Sequence, residues 1–112
     1  MEKVYNKLVR DNIPDIISAD GRNPITRILS DAKYKDALEK KLYEEYQEVL
    51  EATDSSDRIE ELADMLEVII SIAKLDNKQL DDVIDAANKK RKKRGGFDKK
   101  IFLERVIDSV KQ

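Results

Sequence analysis

The sequence contains no histidine and no cysteine among its 112 residues. It therefore cannot build a Ser-His-Asp triad, a cysteine nucleophile, a thiol redox centre or the usual zinc site. Any chemistry must come from carboxylates, lysine, arginine, tyrosine and hydroxyl groups. Because carboxylate oxygens suit hard cations, a metal-dependent activity in this chain would use Mg²⁺, with Mn²⁺ as a substitute.

Long apolar runs are also missing. The most apolar stretch, residues 65–73, is interrupted by Glu67 and Ser71. It is far shorter than the ~20 residues that a membrane-spanning helix needs. No charged-then-apolar signal opens the chain. We therefore expect a cytoplasmic protein that does not associate with a membrane.

The composition favours helices. Charged residues make up 41% of the chain and hydrophobic residues 40%, a mixture too apolar for a disordered tail. Its richness in Glu, Lys and Leu is typical of long amphipathic helices. The length suits one small core, so we predict a single domain over residues 1–112.

Positive charge is concentrated in one place, although the formal net charge is −2. Six consecutive basic residues run from Lys89 to Arg94. On a helix these residues surround the axis and cannot all face one ligand. The run also lacks interleaved aromatic residues, and the protein as a whole is not basic. Binding to nucleic acid is therefore not favoured.

Hydrophobic spacing and capping residues predict three long helices, at residues 31–52, 57–75 and 78–94. Two glycines stop the third helix after Arg94. Four or five residues connect the first two helices, so these should form an antiparallel hairpin. A short helix is expected at residues 15–19.

Two further segments have the composition of strands. Residues 25–29 are β-branched and bounded by turn residues, and residues 101–107 follow the glycine break. They could pair as a short two-stranded β ribbon, and a final helix is the alternative for residues 101–107. The predicted fold class is mostly α, an antiparallel helical bundle.

Four carboxylates fall where the helical pattern calls for apolar side chains. At about 100° per residue, Glu45 lies in the middle of the apolar arc of the first helix, with Glu48 to one side. On the second helix Glu61 intrudes between apolar residues and Asp64 lies at the edge of their arc. The two acids on each helix are spaced i, i+3, so they project from the same side of that helix. Counted from the turn, Glu48 and Glu61 lie at one height, roughly 6 Å away, and Glu45 and Asp64 at another, roughly 10 Å away. The four carboxylates can therefore converge in one layer.

Such a cluster needs positive charge. Burying unpaired carboxylates costs several kcal/mol each, which is comparable to the ~5–15 kcal/mol that stabilises a whole domain. The nearby Lys41 alone does not balance four acids, whereas one or two Mg²⁺ ions do. The alternative is that these glutamates form ordinary solvated salt bridges with residues such as Lys40 and Lys41.

The charged motifs follow a distinctive order along the helices. The chain has Glu44-Glu45-Tyr46-Gln47-Glu48, then Glu61-Leu62-Ala63-Asp64, then Ala87-Asn88-Lys89-Lys90 with Arg94. These motifs resemble the EExxE, ExxD and A-N-x-K-x-x-x-R patterns of the MazG-type, all-α nucleotide pyrophosphohydrolases. Residues 5–14 resemble the leader of a small single-domain subgroup, and the resemblance covers residues 5–97.

The resemblance implies a role for each motif residue. The Mg²⁺ ligands would be Glu45, Glu48, Glu61 and Asp64. Glu44 would be a further ligand or the base that orients the attacking water, which makes Glu44 and Glu45 the candidate catalytic residues. The groups that would bind the phosphates or the nucleotide are Lys7, Arg10, Asn88, Lys90 and Arg94.

The expected activity is Mg²⁺-dependent hydrolysis of a nucleoside triphosphate between its α- and β-phosphates. The products are a nucleoside monophosphate and pyrophosphate, as in house-cleaning of the nucleotide pool. This chemistry needs a cation and an activated water, but neither histidine nor cysteine. Two alternatives stay open: an enzyme like phosphoribosyl-ATP pyrophosphohydrolase, which is related by motif, and a non-catalytic helical dimerisation module.

A second copy of the chain is the expected partner. The second helix is apolar over more than half of its circumference, so it must pack against more than one neighbour. In so small a chain the extra neighbour is another subunit. We therefore expect a homodimer or homotetramer that completes the helical bundle.

Overall fold

The computed structural model describes residues 1–108. Within that range the chain forms four α-helices and no strands: α1 (Ile13–Ala19), α2 (Asp31–Glu51), α3 (Ser55–Leu75) and α4 (Leu80–Arg94). The predicted all-α class is confirmed, and the bounds of the three long helices match the prediction to within about two residues. None of the helices in this range has the length and apolar content to cross a membrane. The cytoplasmic location stays a prediction.

A tight turn joins α2 to α3. Only residues 52–54 connect the two helices, and the Asp54 side chain caps α3 by accepting a hydrogen bond from the Asp57 amide at 2.8 Å. Arg58 closes the turn from the other side, because its guanidinium donates to the Ala52 carbonyl at 3.1 Å. The two helices pack against each other as the predicted antiparallel hairpin.

The interior of this hairpin is small. Among the described residues the buried side chains are Leu38 and Glu45 on α2 and Val68 on α3, with exposed fractions of 2%, 5% and 6%. A glutamate therefore lies as deep as the two aliphatic residues that form the core. That depth is what the position of Glu45 in the apolar arc predicted.

The predicted ribbon does not form. Residues 25–29 and 101–107 are neither strand nor helix, so the alternative of a final helix is also wrong for the described residues. Ile25 and Ile28 are 89% and 98% exposed. β-Branched residues favour a strand mainly when they pack on a neighbouring strand. Without that partner, the sequence preference alone does not form a strand, and both isoleucines stay exposed.

The chain divides into two compact units, Met1–Leu80 and Asp81–Gln112, the second described to residue 108. The second unit contains nearly all of α4, which has aspartates in its first turn and basic residues in its last. That order suits the helix dipole. The helix ends at Arg94. The next residue, Gly95, has a φ of 84° and donates its amide hydrogen bond to the Arg91 carbonyl, which is the predicted glycine stop. The single-domain organisation stays a prediction.

Candidate metal centre

Three carboxylates from α2 and α3 meet inside the hairpin. One oxygen each from Glu45, Glu61 and Asp64 lies within 4.8 Å of the other two. Glu45 comes six residues before the end of α2, and Glu61 comes six residues after the start of α3, so the short connection places these two level, with Asp64 one turn farther along α3. Three hard oxygen ligands this close together have the chemistry and the spacing to hold one divalent cation.

Two oxygens of this group have no partner. In residues 1–108, the buried side-chain polar atoms without a hydrogen bond are Glu45 Oε2 and Glu61 Oε2. Leaving a buried acceptor unsatisfied costs about 1–3 kcal/mol, and more for a charged group. A cation between the helices would satisfy both atoms. The residues present therefore fit a metal ion.

Glu48 lies beside the same group. A hydrogen bond with Glu61 is the largest cause that raises the pKa of Glu48, and partial burial adds to it. Burial is the largest cause that raises the pKa of Glu45; the negative charge of Glu48 adds to it, and Lys41 opposes it. Negative charge is thus crowded around all four predicted metal ligands, although their ligand roles stay a prediction.

Three cationic side chains surround the acids. The ion pairs are Lys41–Glu44 at 3.5 Å, Lys41–Glu45 at 3.4 Å, Lys7–Glu44 at 3.8 Å and Arg10–Asp64 at 2.7 Å. We use the name acidic cluster for Glu44, Glu45, Glu48, Glu61 and Asp64. In the described part of the chain, three cationic side chains form ion pairs with this cluster. With all five carboxylates ionised, the cluster and its three cations together carry two net negative charges. Salt bridges therefore satisfy it only in part.

The sequence did not predict the contacts of the leader, residues 1–12. Lys7 and Arg10 were predicted to bind substrate, and the structure places them on Glu44 and Asp64. No helical or strand spacing governs this irregular segment, so the sequence offered no signal for these pairs. Asn88, Lys90 and Arg94 lie on α4 with exposed side chains. Substrate binding by all five residues stays a prediction.

A family model described as the MazG nucleotide pyrophosphohydrolase domain matches residues 34–97. The match covers more than half of the chain and contains the whole acidic cluster. The chain belongs to the MazG family. The resemblance drawn from the motifs is thereby confirmed. The MazG match also includes the motif residues of α4, whereas Lys7 and Arg10 lie outside it.

One curated relative of this MazG protein is an uncharacterized protein of Mycolicibacterium smegmatis. The two are 54% identical over 43 residues, which are 38% of this chain and 44% of the relative. The match thus spans less than half of the relative's length. No solved structure matches the chain.

Proposed function

We propose that this MazG protein is a Mg²⁺-dependent nucleoside triphosphate pyrophosphohydrolase. It would add water to the triphosphate, break the bridge between the α- and β-phosphates, and release a nucleoside monophosphate and pyrophosphate. The observation that carries the proposal is the convergence of Glu45, Glu61 and Asp64, two of them with buried oxygens that lack a partner. The family match to nucleotide pyrophosphohydrolases supports the same reaction class.

Glu45, Glu61 and Asp64 would hold the cation, with Glu48 as a fourth ligand beside them. Their all-oxygen donor set favours Mg²⁺ and accepts Mn²⁺. When bound, the ion supplies Lewis acidity and neutralises phosphate charge. Its two positive charges match the two negative charges that the cationic side chains leave on the acidic cluster.

Glu44 is suited to accept the proton of the attacking water. It lies next to the buried Glu45 in the chain, but its side chain is about a third exposed, so water can reach it. Lys41 lies within 3.5 Å of both glutamates and fixes the orientation of Glu44 relative to Glu45. A carboxylate placed in this way can act as a general base without histidine.

Basic and amide groups would bind the rest of the substrate. On α4 these are Asn88, Lys90 and Arg94, whose side chains are exposed. Lys7 of the leader is a further candidate, because it lies at the rim of the acidic cluster beside Glu44. Charged donors bind phosphate oxygens strongly, so these residues would govern substrate affinity more than the chemical step.

We propose a second copy of the chain as the partner, in a homodimer or homotetramer. Leu38 and Val68 are the buried hydrophobic residues of the described chain, which is little core for a stable domain. On α3, Ile59, Leu62 and Leu66 are exposed at i, i+3 and i+7, so they form one apolar stripe. Another copy would cover that stripe. Sedimentation equilibrium at micromolar concentration should give a dimer or tetramer mass, and a monomer would contradict this proposal.

A substrate panel tests the activity. Pyrophosphate release should be measured with standard and damaged nucleoside triphosphates and with phosphoribosyl-ATP, each with Mg²⁺ and with EDTA. We expect turnover of free triphosphates with Mg²⁺ and none with EDTA, and a preference for damaged bases would support house-cleaning. Cleavage of phosphoribosyl-ATP alone would favour that substrate instead. No turnover at micromolar protein would contradict the proposal and favour a non-catalytic module.

A further inference from the structure

One residue outside the matched MazG region reaches into the candidate metal centre. Arg10 lies in the leader, before α1, and the match begins at residue 34. Its Nη2 donates to Asp64 Oδ1 on α3 at 2.7 Å, across 54 positions of sequence. This is the length of a strong charge-assisted hydrogen bond.

The Arg10 contact and the convergence of the carboxylates exist at the same time. While Asp64 accepts from Arg10, one of its oxygens still lies within 4.8 Å of the ligand oxygens of Glu45 and Glu61. With Arg10 in place, the acidic cluster keeps two negative charges, which one divalent cation neutralises. The Arg10 contact therefore does not separate the three carboxylates, and the formal charge does not require Arg10 to leave when the cation enters.

Asp64 needs such support more than Glu45 does. Glu45 is buried, with Lys41 beside it, whereas the Asp64 side chain is 43% exposed. A half-exposed carboxylate turns freely in water unless a second group fixes it. Among the described residues, the ion pair recorded for Asp64 is the one with Arg10.

We propose that Arg10 is a positioning residue of the metal centre. It holds the Asp64 carboxylate from the leader side and keeps it turned toward Glu45 and Glu61. In place of the substrate contact that the sequence predicted for Arg10, this role acts through Asp64. Partners behind a ligand typically control its orientation and the metal affinity. The inference rests on the proposed function, since it assumes that Asp64 binds the cation.

The test measures Mn²⁺ affinity without substrate, by electron paramagnetic resonance of the free ion. Arg10→Ala should weaken binding about 10-fold. Arg10→Lys should recover part of the loss, because the ammonium keeps the charge but not the fixed geometry of the guanidinium. The matched control is Arg22→Ala, which removes another arginine from the N-terminal region that pairs with Asp20 at 3.1 Å. That variant should bind Mn²⁺ like the wild type.

A double-mutant cycle separates positioning from a general effect on folding. In an Asp64→Asn background, Arg10→Ala should change Mn²⁺ affinity by less than about 2-fold, because the carboxylate that Arg10 orients has already been removed. Circular dichroism melting in EDTA shows whether each variant is folded. An equal loss in both backgrounds would overturn the inference.

Other results would also overturn it. Unchanged Mn²⁺ affinity in Arg10→Ala excludes positioning, and tighter binding would make Arg10 a competitor of the cation. A higher KM with unchanged Mn²⁺ affinity would make it a direct phosphate ligand. If the wild type itself does not bind Mn²⁺, the proposed function fails together with the inference. If the wild type binds and Arg10→Ala binds equally well, the inference fails alone.

Discussion

The acidic cluster and the basic run at Lys89–Arg94 are both dense in charge, but they differ in how far their side chains are exposed to water. The carboxylates interrupt apolar arcs and are wholly or partly removed from water, with Glu45 only 5% exposed. The six basic residues lie on the last turns of α4, and every one of them is exposed. The position of a charge relative to the apolar arc is therefore more informative about function than charge density.

The difference has an energetic origin. An exposed ion pair or solvated lysine contributes about 0–1 kcal/mol, so a run of them can be kept or lost at little cost. A buried carboxylate is expensive, and burial is the first cause of the raised pKa of Glu45. Charged groups with a raised pKa caused by burial are typical of sites that bind a ligand or carry out a reaction.

The largest effect is expected inside the acidic cluster. Glu45→Gln or Asp64→Asn should reduce turnover by about 10³-fold or more, because each removes a ligand charge from the cation. In EDTA, the melting temperature should be preserved or raised, because each substitution also removes a repelling charge. Pyrophosphate release and thermal melting in EDTA measure the two effects.

Glu60→Gln is the matched control for this pair. Glu60 precedes Glu61 on α3 but is exposed, so the same chemical change should alter neither turnover nor stability. If both variants of the acidic cluster were strongly destabilised in EDTA, the acids would be structural partners of Lys41 and Arg10. The buried and the exposed charges would then not differ in function.

The sequence predicted what periodicity controls. The Ser30 cap marks where α2 begins, whereas α3 begins two residues before its predicted start, at the Asp54 cap. The predicted hairpin still brings Glu45, Glu61 and Asp64 together. The pairing of Arg10 with Asp64 could not be predicted, because it joins an irregular segment to a helix 54 positions away. The ribbon was wrong for a related reason, since a strand depends on a distant partner that local composition does not reveal.

A smaller effect is expected in the basic run. If Lys90 binds a substrate phosphate, Lys90→Ala should raise KM about 3- to 10-fold and change kcat little, as expected for a charged hydrogen bond at an exposed site. Lys92→Ala is the control, because two residues along a helix point about 200° apart around its axis. Steady-state kinetics with the preferred triphosphate measures both variants.

Two results would change this interpretation of the basic run. Unchanged KM and kcat in Lys90→Ala would remove that residue from substrate binding. Equal increases in KM for Lys90→Ala and Lys92→Ala would mean that the run attracts the substrate only through its total charge. A steep dependence of KM on salt would accompany that second result.

The smallest effect is a pH dependence of the metal-free protein. The pKa values of Glu45 and Glu48 are raised in the fold, mainly by burial and by the hydrogen bond with Glu61, respectively. A carboxyl with a raised pKa contributes stability that is present at low pH and is lost as the pH rises through its folded pKa. Glu45→Gln removes this contribution from one of the two groups. The difference in free energy of unfolding, variant minus wild type, should therefore increase from about pH 4 to pH 7 in EDTA.

Urea denaturation in EDTA measures this difference, and Mg²⁺ provides its internal control. On its own helix Glu45 lies beside Lys41, which opposes the rise in its pKa, and Glu48, which adds to it, and the carboxylates of Glu61 and Asp64 face it from α3. Saturating Mg²⁺ binds the ionised carboxylates of the wild type, so it should reverse the trend by stabilising the wild type more as the pH rises. A difference that stays flat in EDTA would mean that Glu45 is as well solvated as the lysines of α4. The contrast between the buried acids and the exposed bases would then fail at its most buried residue.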